Sequence, residues 1–498
     1  MNAENTKYKS HTAERVTWLL FAIVILGVYF FALDIPLLGP DEPRYSQVAR
    51  EMFARGDWVT PTLGGFNWFE KPALLYWLQI SSFNVFGVSE FAARFGSAVF
   101  GLGTIACLWL LGRFLRPRTD FANWLVLVGA STIGIIVFSR GASFDIILTF
   151  PLTAAMVSYF IFEIASKRVE TIRYIPLVLF YFFIGVSLLA KGLVGILFPF
   201  AALAFYHILI WKRPRKDLFF SLIWGLPIAF IVAATWYIPM YQRHGWEFID
   251  QFFVQHHFQR YTSNKYLHPQ AFYFFFWVLP LMSIPWLPFF FAGVFKFGKE
   301  LIRRAGAEVT QPSLTRFAIA WLLVPLVFFS LSGSKLPGYI LPAVPAAALL
   351  AAECLWAWIQ NDEKRKFGVK LIAFSTFAVV AILLQFAVPK FADSDSVKRL
   401  IDVSDSTSSR REKVLMFETI SHNAEFYAAG RLDRSEDGKL EKLTTPEDVL
   451  EELMREGGGT MLVLIPVEQI TKLTRPRIVN ADLLADNGEL AIVRVTLR

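Results

Sequence analysis

Charge is scarce in this 498-residue chain: Asp, Glu, Lys and Arg together make up 18% of it, against 55% hydrophobic residues, with 16% aromatic. With a mean hydropathy of +0.46, that scarcity excludes a disordered chain, a nucleic-acid-binding module and an ordinary soluble enzyme. Cysteine is nearly missing as well. Cys107 and Cys354 both lie in apolar stretches, so no disulfide framework is implied and the redox compartment stays open. No internal repeat or low-complexity tract stands out, and the matched, Gly/Pro-broken spans of an inverted-repeat transporter are not seen. The first apolar run, Val16 to Ile35, lacks a small-residue cleavage site and reads as a retained span instead of a signal peptide. What the chain does have is 50 Phe and 15 Trp, the composition of helices bathed in lipid.

Measured against a hydrocarbon layer about 30 Å thick, the apolar runs predict a polytopic α-helical membrane protein of roughly eleven spans. They fall near 16–36, 91–113, 121–139, 142–166, 174–190, 192–211, 218–240, 270–295, 316–333, 338–358 and 368–389. Basic clusters recur at every second boundary, among them Arg113/Arg116/Arg118, Lys212/Arg213/Arg215/Lys216 and Lys364/Arg365/Lys366/Lys370. The positive-inside rule makes those ends cytoplasmic. The N-terminus is then inside, the C-terminal tail outside, and segment 37–90 with the loops near 140, 191, 241–268 and 334–338 lies on the outer face. The net charge of +8 fits this division. Residues 391–498 hold 15 Lys+Arg against 20 Asp+Glu, so the membrane part is the basic part, and its charge reflects topology and lipid phosphate.

Two outer-face regions have their own patterning. In segment 37–90, Asp41 is placed to cap a helix starting at Glu42-Pro43, and Gly56 to end it. Tyr45, Val48, Ala49, Met52 and Phe53 form one apolar stripe, with Arg44, Gln47, Arg50, Glu51 and Arg55 around it. This predicts a short helix lying in the interface, followed by a second over Pro72 to Phe86. The tail from about 391 predicts a small α/β domain. Its strands are at 414–417, 461–465 and 490–495, and its helix, from Pro446 to Arg455, starts behind Thr444/Thr445. The expected domains are therefore 1–390, the membrane catalytic part, and 391–498, a soluble domain on the outer face.

Ionisable groups gather at the outer ends of the spans: Asp41, Glu42, Arg44, Glu70, Lys71, Arg140, Asp145, Lys191, His256, His257, Arg260 and Lys335, with Tyr339 beside them. Any one of these is explained by snorkelling or by a local ion pair. A set of both signs around one face points to a functional cavity instead, because charge at membrane depth costs about 2.5–3.5 kcal/mol per residue on the insertion scale. Capping accounts for the position of Asp41 but not for the doubled acid Asp41-Glu42. His256-His257 without HExxH-type spacing is a weak metal signal.

The motifs Pro40-Asp41-Glu42-Pro43-Arg44-Tyr45, Gly56-Asp57-Trp58-Val59-Thr60-Pro61 and Phe69-Glu70-Lys71-Pro72 resemble the first outer loop of the bacterial lipid A aminoarabinose transferases. Those are GT-C glycosyltransferases, distantly akin to protein O-mannosyltransferases. Ser139-Arg140 with Asp145, Ala190-Lys191-Gly192, His257-Phe258-Gln259-Arg260-Tyr261 and Ser332 to Pro342 extend the resemblance over about residues 15–350. It implies a transferase that moves a sugar from undecaprenyl phosphate, or another polyprenyl phosphate, to an outer-face acceptor such as lipid A or another envelope glycolipid. The product would be inverted, and no nucleotide cofactor is implied. By the same resemblance Arg44, Lys71, Lys191, Arg260, Lys335 and Tyr339 would hold the donor phosphate, where charge grows as the glycosidic bond breaks. Asp41 would be the general base toward a hydroxyl acceptor, with Glu42 and Asp145 as further candidate catalytic acids. Glu70 and His257 would hold a divalent metal such as zinc, orienting the loop. A flippase for a lipid-linked sugar, a non-catalytic scaffold and an enzyme acting on proteins are the competing readings.

Overall fold

The computed structural model describes residues 2–165, 174–259, 270–303, 312–408, 411–475 and 478–498, without the side chains of 2–13, 165, 257–259 and 302–303. Each apolar run of the sequence is helical over most of its described length. The first ten helices are α1 (Asn2–Phe30), α2 (Asp41–Arg55), α3 (Leu74–Phe86), α4 (Glu90–Leu115), α5 (Phe121–Ala130), α6 (Ile133–Phe138), α7 (Phe144–Ala165), α8 (Ile175–Lys191), α9 (Val194–Leu209) and α10 (Lys216–Ile249). Further helices follow at Phe274–Met282, Leu287–Arg303, Leu314–Ser330, Val344–Ile359 and Glu363–Ile382. The runs 121–139 and 270–295 are each broken into two helices. The break between α5 and α6 is tied to the break at residue 284 by a bond from Ile133 N to the Ile284 carbonyl (2.9 Å).

Five helical stretches among the described residues are long and apolar enough to cross a membrane: Glu90–Leu115, Phe144–Ile164, Lys216–His256, Pro337–Ile359 and Glu363–Asp395. The chain is a multi-pass membrane protein. Exposed Leu19, Leu20, Ile23, Phe219, Ile223, Ile231, Leu371 and Phe374 are surface for lipid tails and not an error of folding.

The chain divides into two compact units. One takes in Met1–Phe31, Phe69–Leu75 and Arg94–Ala381; the other takes in Ala32–Trp68, Tyr76–Ala93 and Ile382–Arg498. Helix contacts in the first rest on small residues and aromatic faces, as expected where lipid offers no hydrophobic contrast. A Cβ on Gly225 of α10 would stand 2.1 Å from the Tyr181 ring of α8. That closeness lets the Tyr181 hydroxyl meet Ser221 Oγ at 2.8 Å. Lys370 places its ammonium 5.0 Å from the Trp18 ring and 5.5 Å from Trp124, so this cation is held between two indoles.

In the second unit α2 runs from Asp41 to Arg55 and ends at Gly56, whose left-handed φ of 63° lets its N–H reach the Met52 and Phe53 carbonyls. The predicted stop is right and the predicted cap is not. Pro40 occupies the cap position and no side chain caps the helix, because the Asp41 carboxylate is drawn to Arg44 one turn on, at 2.5 Å. The apolar stripe is buried at Tyr45, Val48, Ala49 and Met52. A two-stranded hairpin, β1 (Thr62–Leu63) and β2 (Phe66–Asn67), follows. Its turn amides, Gly64 N and Gly65 N, donate to Glu51 at 2.7 and 3.1 Å.

The tail forms a four-stranded mixed sheet of β3 (Val414–Met416), β4 (Met461–Pro466), β5 (Val479–Asp486) and β6 (Leu490–Leu497), in the order β3-β4-β6-β5. Alternation gives it two apolar faces. Leu415, Val463 and Val493 pack with Val449 and Leu453 of the helix Pro446–Arg455. Val414, Met416, Leu462, Leu464 and Ile492 pack with Leu400 and Ile401 of the helix Lys398–Ser406. The predicted helix start is a capping box, in which Asp448 N donates to Thr445 Oγ1 (3.3 Å) and Thr445 N donates to Asp448 (2.8 Å). Strand β5 was not predicted; its sequence, VNADLLAD, carries two acids and no clean alternation.

Candidate active site

The predicted site residues fall into both units. In the membrane unit the densest grouping joins α7, α8 and the short 3-10 segment Pro337–Ala343. Asp145 stands in the first turn of α7 and Lys191 is the last residue of α8. They meet at 2.5 Å with only 17% of either side chain exposed. Lys191 also lies 4.8 Å from the centre of the Tyr339 ring, so a carboxylate and an aromatic face hold one ammonium between them. Gly338 makes this possible, since a Cβ there would fall 1.9 Å from Asp145 Oδ2 and 2.7 Å from Phe138. Only a residue without a side chain lets the segment Pro337–Ala343 close over the ion pair. Gly338 was part of the recognised motif but was not singled out as a site residue.

Lys335 is buried and donates to the carbonyls of Ser332 (2.6 Å) and Gln270 (3.1 Å). Its charge is fixed in place by backbone dipoles, with no carboxylate hydrogen-bonded to it among the described residues. Glu70 and Lys71 lie 3.8 Å apart, both largely buried. Arg140 donates to the Val28 carbonyl at 2.6 Å and to that of Phe31, which ties the C-terminal end of α1 to the turn before α7.

In the other unit Asp41 and Arg44 pair at the head of α2, and the Asp41 side chain is 43% exposed. Arg44 also donates from Nε to the Pro40 carbonyl (3.0 Å) and lies 5.9 Å from the Trp68 ring. The Asp41 carboxylate is thus open to an approaching group on one side while a guanidinium steadies it on the other. Glu42 turns back onto its own chain and accepts from Leu38 N at 2.8 Å.

Arg260 lies outside the described residues, as does the side chain of His257. Among the described residues no group of three or more His, Cys, Asp or Glu side chains comes together. The neighbour of Glu70 is the cation Lys71, a poor companion for a second positive charge. The described residues give the predicted metal on Glu70 and His257 no support.

A family model described as dolichyl-phosphate-mannose-protein mannosyltransferase matches residues 15–249. The fold is that of ArnT from Cupriavidus metallidurans. Its crystal structure bound to undecaprenyl phosphate superimposes with a TM-score of 0.80 at 21% identity, covering 96% of this chain and 97% of that one. The apo form gives a TM-score of 0.74. Among named relatives, the undecaprenyl phosphate-alpha-4-amino-4-deoxy-L-arabinose arabinosyl transferase of Serratia proteamaculans is 33% identical over 374 residues, 73% of this chain. The enzyme of the same name from Aeromonas hydrophila is 28% identical over 393 residues. The chain spans about 64% of the length of the Serratia relative. By sequence, then, the chain is similar to the undecaprenyl phosphate-aminoarabinose arabinosyl transferases and, over residues 15–249, to the protein mannosyltransferase family; by fold it is similar to ArnT.

Proposed function

We propose that this protein is a membrane glycosyltransferase. It takes a sugar from a polyprenyl phosphate donor, with undecaprenyl phosphate as the carrier, and hands it to an acceptor at the outer face of the inner membrane. Lipid A or another envelope glycolipid is the acceptor class. The reading is carried by the 33% identity over 374 residues to a relative named for that reaction, joined to a fold shared with a protein solved with undecaprenyl phosphate. In this reading the roughly eleven spans set the N-terminus in the cytoplasm, and the tail domain and first loop lie outside. The catalytic part in this reading is residues 1–390 and the soluble tail residues 391–498.

The chemistry asked of the residues is a single displacement. An acceptor oxygen attacks the anomeric carbon, the bond from that carbon to the phosphate oxygen breaks, and polyprenyl phosphate leaves with one more negative charge. Preorganised cations stabilise such charge best, and those assigned to it in this reading are Lys71, Arg44, Arg260, Lys335 and Lys191, with the Tyr339 hydroxyl as a further donor. Lys191 has Asp145 as its resting partner, and an arriving phosphate competes for it. Toward a hydroxyl acceptor Asp41 takes the proton; toward an acceptor phosphate no proton need move, and Asp41 orients instead. Glu42 supports the turn that presents Asp41. The match of residues 15–249 to a protein mannosyltransferase family favours one second reading, transfer to a protein hydroxyl.

The test is transfer from synthetic undecaprenyl-phosphate sugars by the purified protein in detergent, read by mass spectrometry of the acceptor. With a hydroxyl acceptor, Asp41→Asn lowers the rate about 10²–10⁴-fold, the range of general-base catalysis. Undiminished transfer refutes the assignment of Asp41. No transfer with any polyprenyl donor refutes the enzyme.

A further inference from the structure

The turn that leads into α2 is held in an unusual way. Three successive backbone amides ahead of Asp41 each donate to a side chain instead of to another backbone group: Leu37 N to Tyr427 Oη, Leu38 N to Glu42 Oε2 and Gly39 N to Asp395 Oδ2, all at 2.8 Å. The Leu37 carbonyl accepts from Asn423 Nδ2 at 2.9 Å. Three of these four partners lie more than 350 positions further along the chain. Buried backbone groups must be satisfied somewhere, and here the C-terminal segment satisfies them.

Those partners are themselves fixed. The Tyr427 hydroxyl, having accepted from Leu37, donates its one proton to Glu90 at 3.2 Å. Glu90 is buried and paired with Lys398 at 2.6 Å. Asn423 is buried too, and its carbonyl oxygen accepts from Ser396 Oγ (3.1 Å) and Val397 N (3.2 Å), which leaves its amide nitrogen to face Leu37. Gly39 adopts a φ of 60°, a left-handed value that a glycine reaches without strain, and Asp395 locks that conformation through the Gly39 amide.

A second hold acts further along α2. Arg50 donates to the Phe426 carbonyl, and its guanidinium lies 4.4 Å from the Phe426 ring. The short helix Ala424–Tyr427 and its cap Asn423 therefore touch both the entry turn and the middle of α2. Two points of attachment fix a helix in rotation as well as in translation, and Asp41 is its first residue. A free helix turns its side chains by about 100° for every residue of slip, which would carry the carboxylate off its target.

We propose that Asp395, Asn423 and Tyr427 are positioning residues for transfer: the C-terminal segment sets the direction in which Asp41 faces its acceptor. The inference rests on the reading of Asp41 as the group that receives or orients the acceptor. It gives the tail domain a task in the reaction without placing any of its side chains on a reacting atom.

The experiment compares Asp395→Ala, Asp395→Asn and Tyr427→Phe in the full-length protein in detergent, each also made with Asp41→Asn, and each checked by thermal unfolding. Asn keeps an oxygen for the Gly39 amide and Ala does not. We expect Asp395→Ala to lower kcat about 10–100-fold, the loss that follows when a reacting group is misplaced by about 1 Å, with the KM for donor unchanged. Asp395→Asn restores most of the rate. In the Asp41→Asn background Asp395→Ala removes nothing more, since residues acting through one another are not additive. The proposal is overturned if Asp395→Ala and Tyr427→Phe both transfer at the wild-type rate. It is overturned equally if Asp395→Ala cuts the residual rate of Asp41→Asn by the factor it cuts wild type, the mark of general damage. Should Asp395→Ala not fold, Tyr427→Phe, which removes a single oxygen, decides by the same criteria. A wild-type protein with no transfer overturns the underlying function instead.

Discussion

Replacing Gly338 with alanine tests the ion pair in the membrane unit by geometry alone, without changing any charged group. The added Cβ would sit 1.9 Å from Asp145 Oδ2, 2.6 Å from its Cγ and 2.7 Å from Phe138 Cε1, against the 3.0 Å below which real Cβ contacts are essentially never found. The Asp145 carboxylate must retreat by about 1 Å, or the segment Pro337–Ala343 must lift by as much. Either movement opens the 2.5 Å contact to Lys191 or draws the Tyr339 ring away from the ammonium. If Lys191 belongs to the donor-phosphate site, a displacement of about 1 Å lowers transfer about 10²-fold. Overpacking also costs about 1–3 kcal/mol of stability. The assay is the detergent transfer reaction at saturating donor, with thermal unfolding measured on the same preparation. A Gly338→Ala protein that folds and transfers at the wild-type rate would refute the claim that Asp145, Lys191 and Tyr339 work as a unit.

Two more predictions concern the tail. Lys413 faces Asp433 at 2.7 Å, Glu456 at 3.2 Å and Glu452 at 3.6 Å. Burial pulls its pKa down, but those carboxylates outweigh burial and raise it. A raised lysine pKa contributes stability that is complete below the ordinary value of 10.5 and is lost as pH rises through the folded-state value. Lys413→Met should therefore destabilise the tail by about 2 kcal/mol near neutrality, less than the 3–5 of a fully buried pair because Arg455 also serves Asp433 and Glu452. The gap between variant and wild type should close only in strong alkali, followed by circular dichroism during thermal scans; a gap that stays constant into strong alkali would contradict it. Thr445→Ala removes the capping-box hydroxyl of the helix Pro446–Arg455 and should cost about 1 kcal/mol. Faster hydrogen exchange confined to that helix is the expected sign, and unchanged exchange there would refute it.

The membrane class, the helical runs, the starts of the tail strands β3, β4 and β6 and the stop at Gly56 were legible because each depends on local pattern: hydropathy, alternation, or a left-handed glycine. The helix start behind Thr444/Thr445 was legible for the same reason, while the reciprocal bonding with Asp448 that makes it a capping box came only with the structure. Strand β5 was not, because its place beside β6 comes from pairing and not from its own composition. The cap assigned to Asp41 failed because a competitor one turn away, Arg44, offered the carboxylate a full charge in place of backbone N–H groups.

The outer-loop motif alone pointed to Asp41, Arg44, Glu70 and Lys71, since a short contiguous signature survives in the amino-acid order. No local pattern could announce that the first loop would share a folded unit with residues 382–498, or that Tyr427 and Asp395 would take up the amides of Leu37 and Gly39, and Asn423 the carbonyl of Leu37. Nor could it announce that Gly338 would be the gap through which a segment closes over Asp145. Those are encounters between groups hundreds of positions apart. They exist only once the chain has paid the entropy of closing such loops, and the directionality of hydrogen bonds and the hard limit of atomic contact then decide which partners meet.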